Sequence, residues 1–322
     1  MEAFENKECK ECIVSGEYTG SEPSQVAKLL VCNRANEFQI KRSGICYSIK
    51  VQQLFNRKTV KIVVDRITYL DSVYNLLMEV LRFENLYDGI FFTFTSFKVD
   101  NEECIENYSQ LFLNYIHSNK QYCMLPMNYS DKIYKTMFLR YKRVIKKSFL
   151  RHQAFLNSLF VNDLTIDIRM SLLLEVFESI VNEKAEEGAI VLKAQPYKVF
   201  TNKCKKCGTV VSRKVPNKEV YLYDKLYTVI KEYGKDIFYG ESKTKIARKG
   251  TNLRNKIDHI SKQKNVMQGE QAGFYLHKFG LMYRIIILKE MNAYNDDIEK
   301  IVKLWTDAMN KRYPKCRILP RN

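Results

Sequence analysis

The amino-acid sequence predicts an α+β protein, in which a β-rich N-terminal domain is followed by an all-α helical bundle. Before about residue 130, runs rich in β-branched and aromatic residues alternate between two faces, as half-buried strands do. From residue 131 onward, apolar residues recur at the spacing of amphipathic helices. We therefore expect one domain over residues 1–130 and a second over residues 131–322.

The first domain is predicted from three segments. Residues 58–64 are rich in Val, Ile and Thr, and residues 89–99 alternate between two faces, so both are predicted strands. Between them, residues 70–83 repeat apolar side chains at helical spacing. This order predicts a sheet with a helix packed on it.

Six helices are predicted in the second domain. Each shows at least part of the i, i+3, i+4, i+7 recurrence of an amphipathic helix, and in the last one Ile298, Ile301 and Trp305 form the apolar stripe. The predicted ranges are 133–160, 165–183, 219–233, 251–262, 271–291 and 296–311.

Composition narrows the classes of function. The chain has 322 residues, enough for two domains, and 46% of them are apolar, which favours buried cores over disorder. Lys and Arg number 53 against 36 acidic residues, and the net charge of +17 favours an anionic partner such as nucleic acid. No apolar run approaches the roughly 18 residues that a membrane span needs, so we expect no membrane partner.

Two further features predict a cytoplasmic protein. Residues 1–8 lack the basic and then apolar order of a signal peptide. The nine cysteines are an odd number in a long chain, which is typical of free thiols in a reducing compartment. A secreted disulfide scaffold is therefore excluded.

The most concentrated basic segment that contains a histidine runs from residue 243 to residue 264. Such a segment is either a solvated face or a surface that binds phosphate. Besides Arg254, the segment holds seven lysines and arginines, which we assign to RNA binding: Lys243, Lys245, Arg248, Lys249, Lys256, Lys262 and Lys264.

Helix geometry orders the side chains of this segment. Thr251 is a good N-cap candidate, which would place Arg254 in the first turn, where helix amides favour phosphate. Leu253 begins an apolar face, while Asn255 and His259 lie one turn apart on nearly the opposite face. His259 is therefore predicted to face solvent, a substrate or a second subunit, with Asn255 placed to orient its imidazole.

The stretch Arg254-Asn255-Lys256-Ile257-Asp258-His259 resembles the Arg-x4-6-His motif of HEPN ribonucleases. Its surroundings resemble the ApeA-like branch, which couples a β-rich N-terminal domain to a C-terminal HEPN bundle. A long predicted helix follows the motif at residues 271–291, and an acidic and apolar helix precedes it at residues 167–180.

The resemblance implies a metal-independent endoribonuclease, a hydrolase with no cofactor for catalysis. The 2′-hydroxyl of RNA would attack the adjacent phosphate, leaving a cyclic phosphate and a 5′-hydroxyl. His259 would move protons, Arg254 would stabilise the developing charge, and Asn255 completes the implied catalytic set.

A homodimer is implied as well, because Arg254 and His259 point about 140° apart on one helix and one motif makes a poor site. The ApeA-like branch further implies antiviral defence by abortive infection, with tRNA as the expected substrate and a phage-derived trigger. The N-terminal domain would then be the sensor or regulator.

Two Cys-x2-Cys units stand apart from this motif. Cys9 and Cys12 form the first, and Cys204 and Cys207 the second, which is followed by Gly208 as in a zinc knuckle. Together they supply the four ligands of a structural zinc site. The other interpretation is two unrelated cysteine pairs.

Two other classes of function remain open at this point. The same basic faces suit an RNA-binding protein without catalysis, and the cysteine pairs suit a zinc-containing regulator that binds nucleic acid. The variant His259→Ala separates the first from the enzyme, since it should abolish cleavage and spare binding. Metal in the purified protein would favour the second.

Overall fold

The computed structural model describes residues 7–17, 33–54, 57–88, 93–104, 129–160, 164–258 and 269–316. It confirms the α+β class, with a sheet in the N-terminal part and mostly helices after residue 130. The chain forms two compact units, Met1–Thr165 with Phe279–Ile318, and Ile166–Lys278 with Leu319–Asn322.

The first unit contains a six-stranded antiparallel sheet with the strand order β2-β3-β4-β1-β5-β6. The predicted strand at residues 58–64 lies within β4, and β5 covers residues 93–99 of the second predicted strand, whose first four residues lie outside the described residues. The strands are β1 (Glu8–Glu17), β2 (Arg34–Arg42), β3 (Ile45–Leu54), β4 (Arg57–Tyr69), β5 (Thr93–Val99) and β6 (Glu102–Glu103).

Helix α1 (Leu70–Asp88) packs on β1 and β4 with the predicted apolar face, since Val73, Leu77 and Val80 are fully buried. It runs five residues past the predicted end at residue 83. Those five residues are all buried, although Glu84 and Asp88 carry charge. The end of α1 is therefore stabilised by tertiary contacts.

A buried ion cluster explains how the end of α1 can carry two carboxylates. Arg34 on β2 and Lys58 on β4 both contact Glu84 and Asp88, with 3.1 Å between Arg34 Nη2 and Asp88 Oδ2 and 2.7 Å between Lys58 Nζ and Glu84 Oε2. All four side chains are buried, and two positive charges balance two negative ones. Burial by itself raises the pKa of Glu84, but Arg34 and Lys58 outweigh it and lower that pKa to about 2.

Helices α2 (Asp131–Lys147) and α3 (Phe149–Phe160) replace the one helix predicted over residues 133–160. Ser148 separates them, with φ at −140° and its hydroxyl bonded to Val144 O. A serine hydroxyl that bonds to the backbone competes with helical pairing and can bend or end a helix.

Helix α2 belongs to the same compact unit as the sheet. Tyr134 and Phe138 of α2 pack against Phe38 of β2, and the Tyr134 hydroxyl donates to Glu84 in the ion cluster. The predicted domain boundary at residue 131 therefore differs from the division into compact units, in which the first unit continues to Thr165. The sensor and nuclease roles given to those domains stay predictions.

The second unit is built mainly from helices α4 (Ile166–Glu186), α5 (Leu222–Tyr233) and α6 (Lys243–Asp258), which pack on one another. Gly250 of α6 makes this approach close, because a Cβ atom there would lie 3.3 Å from Leu226 of α5 and 3.4 Å from Leu174 of α4. A hairpin that the sequence did not predict adds β7 (Tyr197–Lys203) and β8 (Val210–Pro216).

Two helices complete the fold, α7 (Gly269–Glu290) and α8 (Asn295–Arg312), both within a residue or two of their predicted ranges. The boundary between the compact units falls inside α7, after Lys278. Arg284, in the first unit, donates from Nε to the carbonyl of Leu86 at 2.6 Å and so caps the last turn of α1. No helix among the described residues is long and apolar enough to cross a membrane.

We expect Lys58→Met to lower the free energy of unfolding by about 3–5 kcal/mol, because Arg34 alone then faces Glu84 and Asp88 and one buried negative charge is left unbalanced. The matched control is Lys61→Met on the same strand. Lys61 pairs with Glu11 at a partly exposed position, so its loss should cost less than about 1 kcal/mol. Denaturant unfolding measures the free energy of unfolding of both variants. Equal decreases in the two would contradict a larger contribution of the buried cluster to stability.

Candidate active site

The basic helix α6 begins two turns before its predicted start. Ser242 precedes the first turn, and its hydroxyl oxygen accepts from the amide of Lys245 at 3.4 Å. The prediction of Thr251 as the N-cap is wrong, because Thr251 lies inside the helix and its hydroxyl donates to Ala247 O at 2.9 Å. Arg254 is therefore far from the helix N-terminus, whose amides cannot assist it.

A buried lysine holds the chain at the start of α6. Lys278 is fully buried, with its ammonium 4.7 Å from the centre of the Phe274 ring and 5.2 Å from that of Phe238. It pairs with Glu241, whose second oxygen accepts from the Tyr275 hydroxyl at 2.6 Å. Glu241 lies two residues before α6, so these contacts fix where the basic helix begins.

Arg254 lies on the edge of α6 that faces α4. Its Nε atom donates to Glu175 Oε1 at 2.5 Å, and its Nη2 atom lies 3.9 Å from Glu178 Oε2. Glu178 also accepts from Lys225 of α5 at 2.7 Å. Three helices thus contribute to a network of charges in which the Arg254 side chain keeps 29% of its surface exposed.

The network can present a cation at the protein surface in a defined position. Two carboxylates restrict the rotamers of Arg254. They lie against its Nε and Nη2 atoms, so a phosphate would contact the guanidinium in competition with Glu175 and Glu178. Sequence reasoning missed Glu175 and Glu178. Their i, i+3 spacing on the polar edge of the predicted helix over residues 165–183 was the available signal.

The structure describes the motif only as far as Asp258. Leu253 is fully buried, as its predicted apolar face requires, and Asn255 is half-buried. Lys256 belongs to α6, but its side chain is not among those described. His259, Lys262 and Lys264 lie outside the described residues, so their assignment stays a prediction.

The remaining basic residues of α6 differ in exposure. Lys245 and Arg248 are exposed, whereas Lys243 and Lys249 are half-buried, and Lys249 donates to Gln271 Oε1 at 3.1 Å. The basic segment therefore offers at least two cations to solvent before Arg254 is reached.

Two tyrosines beside Arg248 form a surface that the sequence analysis did not identify. The Arg248 guanidinium lies 6.0 Å from the centre of the Tyr223 ring. Tyr223 in turn stacks on Tyr227, with ring centres 6.4 Å apart and planes inclined by 13°. Tyr227 is exposed. Their i, i+4 spacing on α5, close to the basic helix, brings aromatic faces and positive charge together.

The two cysteine pairs have different surroundings. Cys9 and Cys12 are buried in β1, where a bulge between Cys9 and Glu11 turns both thiols to the same side with 4.0 Å between the sulfur atoms. The largest effect that raises the pKa of Cys12 is its hydrogen bond with Cys9, and the next largest is burial of the thiol. These residues therefore form part of a sheet interior.

Cys204 and Cys207 instead lie in the turn between β7 and β8, and both are exposed. The Thr209 hydroxyl and backbone amide lower the pKa of Cys207 to about 7. In the part of the chain that the structure describes, no group of three or more His, Cys, Asp or Glu side chains could hold a metal ion. The predicted four-cysteine zinc site stays a prediction.

Comparison with known proteins finds no match: no family model, no curated protein and no solved structure is similar to this chain. The resemblance to HEPN ribonucleases is therefore carried by the motif and its context in the sequence.

Proposed function

We propose that this protein is a metal-independent endoribonuclease of the HEPN type that acts as a homodimer. The observation that supports this best is the position of Arg254. It is held at the surface of a basic helix by two carboxylates from α4, at the Arg-x4-His spacing from His259.

The chemistry assigns one role to each residue of the motif. His259 takes the proton from the attacking 2′-hydroxyl or returns one to the leaving oxygen, the role that histidine fills most often in general acid–base catalysis. Arg254 stabilises the charge that develops on the phosphate. Asn255, four residues before His259 in the sequence, would orient its imidazole.

A second copy of the chain completes the site. On a helix that extends to His259, side chains five residues apart would diverge by about 140°, and Arg254 and His259 of one copy would converge poorly on a single phosphate. Two motif helices facing each other across a cleft bring an Arg and a His together twice.

The surface around the motif suits RNA. Exposed Lys245 and Arg248 supply contacts to phosphate, and the stacked pair of Tyr223 and Tyr227 offers an aromatic face to an unpaired base. The overall charge of +17 attracts a polyanion over a longer range.

We further propose that the ribonuclease serves antiviral defence in the cytoplasm, by abortive infection. A phage-derived trigger would act through the β-rich part of the chain, and tRNA is the proposed substrate. An RNA-binding protein without catalysis is the alternative, and the stacked tyrosines and exposed cations fit it equally well.

We expect Arg254→Ala to lower the cleavage rate by roughly 10²–10³-fold and His259→Ala by roughly 10²–10⁴-fold. His259→Ala should bind RNA almost as tightly as wild type, because the imidazole moves protons and the cations supply affinity. Sequencing of RNA ends in cells, together with cleavage of purified RNA, measures the rates.

The matched controls for these variants are Arg248→Ala and Tyr227→Ala. Both should weaken RNA binding, yet at saturating RNA they should cleave at a rate close to that of wild type. If Arg248→Ala and Tyr227→Ala weaken binding, but wild type shows no cleavage or its cleavage is unchanged in Arg254→Ala and His259→Ala, the protein binds RNA without using this motif to cleave it.

Asn255→Ala should lower the rate through a misoriented imidazole, by less than His259→Ala does, and leave the affinity for RNA nearly unchanged. Lys256→Ala should instead reduce the slope of log affinity against log salt by about one phosphate contact. Binding and cleavage over a salt series separate the two effects. A fully active Asn255→Ala beside an inactive Lys256→Ala would show that the motif model is wrong.

Cleavage should persist in EDTA, because the motif supplies a proton carrier and a cation in place of metal ions. Zinc content and folding must be followed in the same samples, so that loss of a structural metal is recognised. Cleavage that stops in EDTA and returns with magnesium would contradict the HEPN assignment.

A further inference from the structure

The β7–β8 hairpin has a fixed base and an exposed tip. At the base, the Asn217 amide donates to Pro196 O at 3.0 Å, and Asp224 of α5 accepts from the Gln195 amide at 3.1 Å. Toward the tip, the five residues of β8 from Val210 to Lys214 are exposed. Isolated two-stranded hairpins are marginally stable in water, so a tip of this kind benefits from an additional link.

The turn at the tip, residues 204–208, is closed by backbone hydrogen bonds. The Cys204 amide donates to Thr209 O at 2.8 Å, and the Gly208 amide donates to Cys204 O at 3.0 Å. Gly208 has a φ of +73°, a conformation that favours glycine. The closed turn holds Cys204 and Cys207 on one short loop, from which both thiols reach solvent.

Two thiols make half of a structural zinc site, since zinc in such sites takes four ligands in a tetrahedron. Among the described residues, no third His, Cys, Asp or Glu joins this pair to make a metal-binding group. Cys9 and Cys12 are poorly suited to complete it, because both are packed in the interior of a sheet.

We propose that Cys204 and Cys207 bind one zinc ion jointly with the same two cysteines of a second copy of the chain. Each of the four thiols gives up a proton to solvent and forms one zinc–sulfur bond, and no electrons are transferred. The inference rests on the homodimer of the proposed function and names a contact that stabilises it.

Charge makes this contact dependent on metal. Lys205 and Lys206 are exposed in the turn, so two tips that meet without metal bring four ammonium groups together. A zinc ion with four thiolates carries a net charge of −2, which those lysines offset. The contact would also cover Val210 and Val211, which are 57% and 62% exposed.

The test measures zinc content and mass on the full-length Arg254→Ala protein, so that the result does not depend on cleavage. We expect about one zinc ion per two chains and a dimer by native mass spectrometry. The double variant Cys204→Ser/Cys207→Ser should lose the zinc and shift the equilibrium toward monomer. The control Cys9→Ser/Cys12→Ser carries the same change at the other pair and should keep both zinc and dimer.

Each other outcome overturns the inference. One zinc per chain that is lost in both double variants indicates the four-cysteine site within one chain. One zinc per chain that is lost only without Cys204 and Cys207 indicates ligands from elsewhere in the same chain. Protein purified without chelator that holds no zinc, and takes up none on addition of zinc chloride, would exclude a zinc site at this turn. The ribonuclease proposal would stand in all three cases, because its site needs no metal.

Discussion

The buried ion cluster of Arg34, Lys58, Glu84 and Asp88 is the constraint on which the first compact unit depends. Its charges cancel only when β2, β4 and the last turn of α1 meet in one register, and a shift of any of these elements would leave a charge buried alone. Such a cluster adds less stability than an apolar core of the same volume would. We expect it instead to favour one register of the strands, and Tyr134, which donates to Glu84, joins α2 to the same cluster.

In the second unit, the position of the basic helix α6 is set by a close packing contact and by an ion pair. Gly250 lets α6 approach α4 and α5 closely, and Lys278 fixes Glu241 just before the helix begins. The close approach brings Arg254 within reach of Glu175. The candidate site is thus a consequence of helix packing, and the proposed ribonuclease would use a cation whose position the fold has already restricted.

The elements that the sequence predicted correctly carry a regular apolar pattern within their own residues, and two that it missed, β1 and β2, do not. Helices such as α8 show a clear apolar stripe, which a single helix needs in order to pack. Strand β2 escaped prediction because its inward positions include Arg34 and Asn36 beside Phe38, so its apolar alternation is broken. Strand β1 escaped it because the bulge after Cys9 interrupts its period of two.

The sequence by itself determined the α+β class, the order of most helices, the basic segment and the spacing from Arg254 to His259. Each of these depends on residues close together in the chain. Only the tertiary structure decided where α6 begins, that Glu175 holds Arg254 across 79 residues, and that Cys204 and Cys207 share an exposed turn while Cys9 and Cys12 are buried. Partners so distant in sequence are chosen by packing and by the pairing of opposite charges across the fold, and neither leaves a local pattern in the chain.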